Sequence, residues 1–273
     1  MKSGLVKFSM SKTICEFIVL VEDKADYETA AGIAEKVIFQ NAPEWVKDNF
    51  EYRYSSVFAW KGLDANTNYT RWIDYKILEE QFKEKGYKPP HFTGHKNYSG
   101  YDYSIGRKFL QLIEFVNREA QREILAVLMI RDADNQAYER KKSLYALLED
   151  YSDLVIGLSI PKRESWVLNG FEPQTELEHQ SLNKVISRLG FNPCIDSYRL
   201  KGSVSQPGTE HRDIKQVLSE LVGSDYERET QCWNHTSIEV LTERGAKSGL
   251  TEYIENINRF LLPILNHHCY VEK

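Results

Sequence analysis

A chain of 273 residues, 41% hydrophobic and 27% charged, is long enough to bury a sizeable core and too apolar to stay disordered. Its formal charge of -5 excludes a uniformly basic surface, although a local basic groove remains open because net charge averages over faces. No apolar run reaches the ~20 residues that cross a bilayer.

The first predicted element is the β-branched run Ile14 to Val21, too short for an ordinary helix and suited to a strand buried on both faces of a parallel sheet. Glu16 interrupts it and no small-residue cleavage site follows, which argues against a signal peptide. Ala30, Ile33, Ala34, Val37 and Ile38 then recur at helical spacing and predict a helix over 24–40. EYRYSSVFAW, residues 51–60, reads as a second strand. Residues 74–85 read as a helix closed by Gly86, with Pro89 and Pro90 beyond it. A loop rich in Gly, Tyr, His and Asn follows over 91–106, and helical periodicity resumes from about Arg107 to Gln121. Ile124 to Ile130 is the strongest strand signal and runs directly into RDADNQ. A polar helix over 136–150, a strand over 153–160 and the segment PKRESWVLNGF complete the alternation. That order predicts an α/β fold, a parallel sheet flanked by helices over residues 1–170. Past Phe171 the strand signal ends, and 176–189, 211–222, 236–244 and 250–265 read as a helical C-terminal extension over 171–273. Residues 200–213, polar and rich in Gly, Pro and Ser, read as a linker or mobile loop. The four cysteines, Cys15, Cys194, Cys232 and Cys269, lie far apart and read as reduced thiols of a cytoplasmic protein.

Ligands of open parallel sheets bind outside the carboxyl ends of the strands. Glu22 follows the first strand, and Asp132 and Asp134 follow the central one, so all three carboxylates are expected on one edge. Asp26, four residues past Glu22, shares that face if the helix starts early, although Asp23 and Asp26 taken alone read as solvated acids. Carboxylates so clustered repel one another unless a cation neutralises them, and hard oxygen donors suit Mg²⁺ or Mn²⁺. Ser159, Lys162, Arg163 and Glu164 open onto the same edge. Lys162 or Arg163 could offset charge on a phosphate, and Glu164 could add a ligand. The segment also fits a capped helix start with Pro161 near its first position. Trp166, Val167 and Leu168 read as core. Among basic residues, Lys61, Arg71, His91, His95, Lys96, Arg107 and Lys108, with Tyr98, are candidates for holding nucleic-acid phosphates and bases. A Tyr-rich cover packed on the core is the competing reading of that loop. His267 and His268 are too isolated for a metal site.

A strand ending in Glu within LVEDKADYE, Leu20 to Glu28, and a later apolar strand ending in DxD within LMIRDADN, Leu128 to Asn135, resemble the Toprim domain of topoisomerases, primases and recombination proteins. The Glu22 and Asp26 spacing is most similar to the OLD-type and related phage-defence nucleases. The resemblance covers roughly residues 13–170. It implies a metal-dependent nuclease cleaving DNA or tRNA, as the effector of a bacterial anti-phage system, with an ATPase partner in trans. It implies Glu22 as general base or metal ligand, Asp132 and Asp134 holding metal, Asp26 and Glu164 supporting a second ion, and Lys162 near the phosphate. Two other classes stay open: a non-catalytic docking subunit of an ATPase-containing complex, and a metal-dependent phosphatase. A dehalogenase-type phosphatase places its DxD near the chain start, and a receiver domain needs an acid where VFAWKG offers Lys61, so both fit poorly.

Overall fold

The computed structural model describes residues 15–47, 58–89, 100–119, 122–203, 208 and 210–269. Five parallel strands form one sheet: β1 (Cys15–Val21), β2 (Phe58–Lys61), β3 (Thr70–Arg71), β4 (Ile124–Asp132) and β5 (Leu154–Ser159). Their order is β2, β1, β4, β5, and β3 continues the β2 side by pairing with Leu20 and Val21 of β1. All neighbours run parallel, as the alternation of strand and helix predicts.

Period-two alternation divides the strands between two apolar layers. Phe17, Val19 and Val21 of β1 join Ala126, Leu128 and Ile130 of β4 in one layer, while Ile18, Leu20, Val127 and Met129 enter the other. The second layer is closed by α3 (Tyr75–Glu84), α4 (Tyr101–Glu119) and α5 (Ala137–Tyr145), whose Tyr75, Phe109 and Leu144 are buried. The first is closed by α1 (Lys24–Asn41) and by α6 (Glu164–Gly170), α7 (Glu176–Leu189), α8 (Ile214–Val222), α9 (Tyr226–His235), α10 (Ile238–Arg244) and α11 (Leu250–Asn256). A short α2 (Glu44–Lys47) follows α1. The C-terminal helices thus cover the sheet itself. Tyr253 Oη donates to the Ala30 carbonyl of α1 at 3.0 Å, and Tyr253 stacks on Trp166 at 5.0 Å. Gly157 on β5 permits this stack, since a Cβ there would lie 3.0 Å from both rings and 2.7 Å from Ile130.

Several elements differ from the sequence reading. Residues 101–106 are helical where a loop is expected, because Tyr103 is buried and the first turn of α4 carries Asp102 inward. β3 is too short for a periodic signal. α9 (YERETQCWNH) is polar apart from Cys232 and Trp233, which it buries. After α11 the backbone continues as π-helical turns over Ile257–Leu261 and Leu265–Cys269. Of the segment 200–213, the described ends are joined by a bridge between Lys201 and Asp213. Cys194 and Cys232 are free and buried, but Cys15 is disulfide-bonded, which corrects the reading of all four cysteines as thiols. Among the described residues no helix is long and apolar enough to cross a membrane.

Candidate functional site

The carboxyl edge is built where β1, β4 and β5 end. Ala133 N–H donates to the Ser159 carbonyl and Asp134 N–H to the Pro161 carbonyl, both at 2.8 Å. These bonds carry the sheet pairing past the last strand residues. Asp134 adopts a left-handed φ of 50°, which Asp tolerates better than most residues, so the chain turns sharply into α5. Pro161, in a cis bond with Ile160, lies ahead of α6, which begins at Glu164, so Pro161 is not its first residue.

Asp132 is the centre of the site. Its Oδ1 accepts from Ser159 Oγ at 2.6 Å and from Arg163 N–H at 2.9 Å, while Oδ2 lies 3.9 Å from Lys162 Nζ. Burial, aided by the charges of Glu22 and Glu164, raises its carboxyl to about 6 against the lowering hydrogen bond from Ser159. Asp26 is the largest correction to the sequence reading. Asp23 is an exposed N-cap, and the reciprocal hydrogen bonds of a capping box turn Asp26 inward to 6% exposure. Burial, with the charges of Asp132 and Asp23, raises its carboxyl to about 8. Glu164 is also buried, beside Arg163 at 3.7 Å, and its Oε2 has no hydrogen-bond partner.

The outer carboxylates differ in kind. Glu22 Oε1 accepts from Asp132 N–H at 3.2 Å and pairs with Arg131 at 3.1 Å and Arg140 at 3.5 Å. Asp134 is divided between Arg140 at 3.2 Å and Lys162 at 3.1 Å. Burial works against the charge of Lys162, but Asp134 and Asp132 more than offset it and raise its pKa. Asp102 joins the same lattice through Arg131 at 2.9 Å, and Arg131 lies over the Trp72 ring at 5.2 Å. On the inner side Arg163 pairs with Glu229 of α9 at 3.0 Å. The C-terminal helices therefore contribute an acid to the site.

All five acids and Lys162 named from the sequence gather at this edge. Asp102, Arg131, Arg140 and Glu229 were not foreseen. A charge at the end of so apolar a strand was the available signal for Arg131. The polar helix gave none for Arg140, and Glu229 lies in a helix that the periodicity missed. The basic candidates do not join this cluster by any described contact. Lys61 Nζ donates to the Ala65 carbonyl, Arg71 pairs with Asp74 at 2.8 Å, and Lys108 covers the Tyr75 ring. Arg107 acts on Tyr103 and Tyr151. His91, His95, Lys96, Tyr98 and the His268 side chain lie outside the described residues, and His267 is exposed.

Oxygen donors in a buried, mutually repelling group suit a hard divalent cation. Of the donors present, Glu164 Oε2 has no partner and Asp132 Oδ2 has only Lys162, at 3.9 Å. As they stand, no group of three or more Asp, Glu, His or Cys side chains among the described residues is arranged to hold a metal. Glu22 and Asp134 face basic side chains instead. No family model matches the chain, and neither a curated protein nor a solved structure matches it.

Proposed function

We propose that the chain is a Mg²⁺- or Mn²⁺-dependent nuclease that cleaves phosphodiesters of DNA or tRNA. What supports the reading most is the buried Asp132, Asp26 and Glu164 group at the carboxyl edge of a parallel sheet, with its raised carboxyls and an unpartnered oxygen on Glu164. Asp132, Asp26 and Glu164 would hold the first ion, and Glu22 and Asp134 a second. A bound divalent ion would supply Lewis-acid stabilisation of phosphate charge and a more acidic water. Lys162, between Asp132 and Asp134, is positioned to meet a phosphate oxygen. Glu22, with Asp134 one of the two more exposed acids of the edge, is suited to take a proton from attacking water. An anti-phage role and an ATPase partner rest on the Toprim resemblance.

The test is incubation of purified protein with plasmid DNA and with total tRNA, with and without Mg²⁺ or Mn²⁺. Metal-dependent cleavage that Asp132→Asn and Glu164→Gln both abolish supports the reading, and cleavage surviving both substitutions sinks it. A second reading draws on the ion pairs of Glu22 and Asp134: an edge already neutralised by Arg131, Arg140 and Lys162 could serve as a docking module without chemistry. Absence of Mn²⁺ binding heat at millimolar metal would favour it.

A further inference from the structure

The exit of β5 is walled by three segments of the C-terminal region, and each brings a lysine to it. Gly202 lies against the stem of Lys162, where a Cβ would stand 3.0 Å from Cε and 3.2 Å from Cγ, and the exposed Lys201 precedes it. Lys201 is fixed through its backbone, donating to the Arg212 carbonyl at 2.9 Å and accepting from Ile214 N–H at 3.1 Å. Lys215, in the first turn of α8, reaches Glu164 at 3.9 Å with most of its side chain in solvent. Lys247 is exposed and lies over the Tyr198 ring at 5.0 Å. It precedes Ser248, whose carbonyl accepts from Ile160 N–H at 2.9 Å. Two acids of these segments are engaged locally, Asp196 with Arg199 at 3.7 Å and Asp213 as the cap of α8. Glu210 stays exposed, against the three lysines and Arg212, whose buried Nε has no hydrogen-bond partner.

We infer that Lys201, Lys215 and Lys247 form a track for the phosphate backbone of a nucleic acid and lead it to Lys162. The inference rests on the nuclease reading above and names where that substrate lies. A phosphodiester held at Lys162 has further phosphates on either side of it, and each is a charge that a nearby cation can neutralise. The other cations of the edge are poorly placed for this. Arg131 and Arg140 are bound to Glu22, Asp102 and Asp134, and Lys61, Arg71 and Lys108 have no described contact with the edge. The lysines of the C-terminal wall are exposed, long-armed and set by three separate segments around one strand exit. Ammonium groups bind phosphate as point charges and hold a backbone without reading its sequence. DNA and RNA share the chemistry that such a track recognises. The C-terminal region, besides covering the sheet, thus supplies the substrate surface that the acidic edge itself lacks.

Fluorescence anisotropy of a labelled DNA duplex and of labelled tRNA, in EDTA and again in Ca²⁺, reads binding apart from cleavage. Wild type is compared over a range of salt with the triple variant Lys201→Gln, Lys215→Gln, Lys247→Gln. The three are changed together because any one lysine removed leaves two on the same backbone. A control triple, Lys76→Gln, Lys85→Gln, Lys88→Gln, removes the same charge from exposed lysines on and just after α3, in the opposite layer. Loss of three phosphate contacts should weaken binding about tenfold to a hundredfold near physiological salt and make the log–log salt slope shallower by about 2–3. The control should match wild type. If the triple variant fails to fold by circular dichroism, Lys201→Gln with Lys247→Gln, which spares the Lys215 and Glu164 pair, carries the test with a slope change of about 2. Equal affinity and slope in wild type and the track variant, or an equal loss in the control, overturns the track and leaves the nuclease reading standing. No binding of either probe by wild type in either buffer overturns both.

Discussion

Asp26→Asn should stabilise the protein at alkaline pH, although it removes a charge from a well-made capping box. Asp26 is 6% exposed, and burial with two acidic neighbours lifts its carboxyl from the ordinary 3.8 to about 8. A pKa raised in the fold above its value in the unfolded chain gives stability that is whole below about 3.8 and is lost as pH rises through about 8. At 1.36 kcal/mol per tenfold, the full loss is of order 6 kcal/mol. Of this, about 3–4 kcal/mol falls between pH 5 and pH 8, the equivalent of roughly 6–16 °C in Tm for a domain of this size. Asn keeps an oxygen for the Asp23 N–H, a bond of 2.9 Å in the wild type, so the cap survives. Urea unfolding of both proteins at pH 5, 6, 7 and 8 should therefore give curves that diverge steadily as pH rises, with the variant the more stable at pH 8. A wild-type free energy that is flat from pH 5 to 8, or a variant less stable than wild type at pH 8, would refute the reasoning. Added Mg²⁺ at pH 8 should close the gap by stabilising the wild type alone.

The other outcomes are checked more simply. Mn²⁺ affinity should rise between pH 6 and 8, as protons leave Asp132 near 6 and Asp26 near 8, and should level off above that; calorimetry in buffers of different ionisation heat would show the released protons. Ser159→Ala removes the 2.6 Å bond to Asp132 from a buried site, should cost about 1–3 kcal/mol in chemical denaturation, and should move the onset of metal binding to higher pH. Gly157→Ala drives a methyl against Ile130, Trp166 and Tyr253 and should cost about 1–3 kcal/mol, read as a lower urea midpoint with unchanged slope.

The parallel sheet was legible because β1, β4 and β5 are short, apolar and β-branched, and each is followed by a helix. The carboxyl-edge position of Glu22, Asp132 and Asp134 followed from that topology. The burial of Asp26 was not legible. A carboxylate one turn into a helix looks solvated until Asp23 caps the helix and the C-terminal helices cover α1. Nor was the role of Arg140, because nothing in the polar sequence of α5 distinguishes it from Lys141, and only tertiary packing turns one inward and the other outward. α9 escaped for a related reason: its two apolar anchors, Cys232 and Trp233, are adjacent in sequence and give no helical period.

The inner carboxylates have little freedom to relax apart. The exit of β5, which carries Lys162, Arg163 and Glu164, is held on one side by the β4 turn through the Ser159 and Pro161 carbonyls. On the other side the Ser248 carbonyl accepts from Ile160 N–H at 2.9 Å and from Trp166 Nε1 at 3.0 Å. That carbonyl is aimed by Gly249, whose φ of 83° and close approach to the Leu158 carbonyl suit no other residue type. Asn169 and Ser248 lock the same corner with a side-chain bond of 2.6 Å, and Glu229 holds Arg163 from α9. Asp132 is itself fixed through Oδ1 by two donors. Repulsion within such a frame is not relieved by moving the charges apart, as it would be at a mobile surface. Burial first and this repulsion second raise the carboxyls of Asp26 and Asp132, and a proton relieves both. Rigidity contributed by the C-terminal helices is thus what holds the acidic group together.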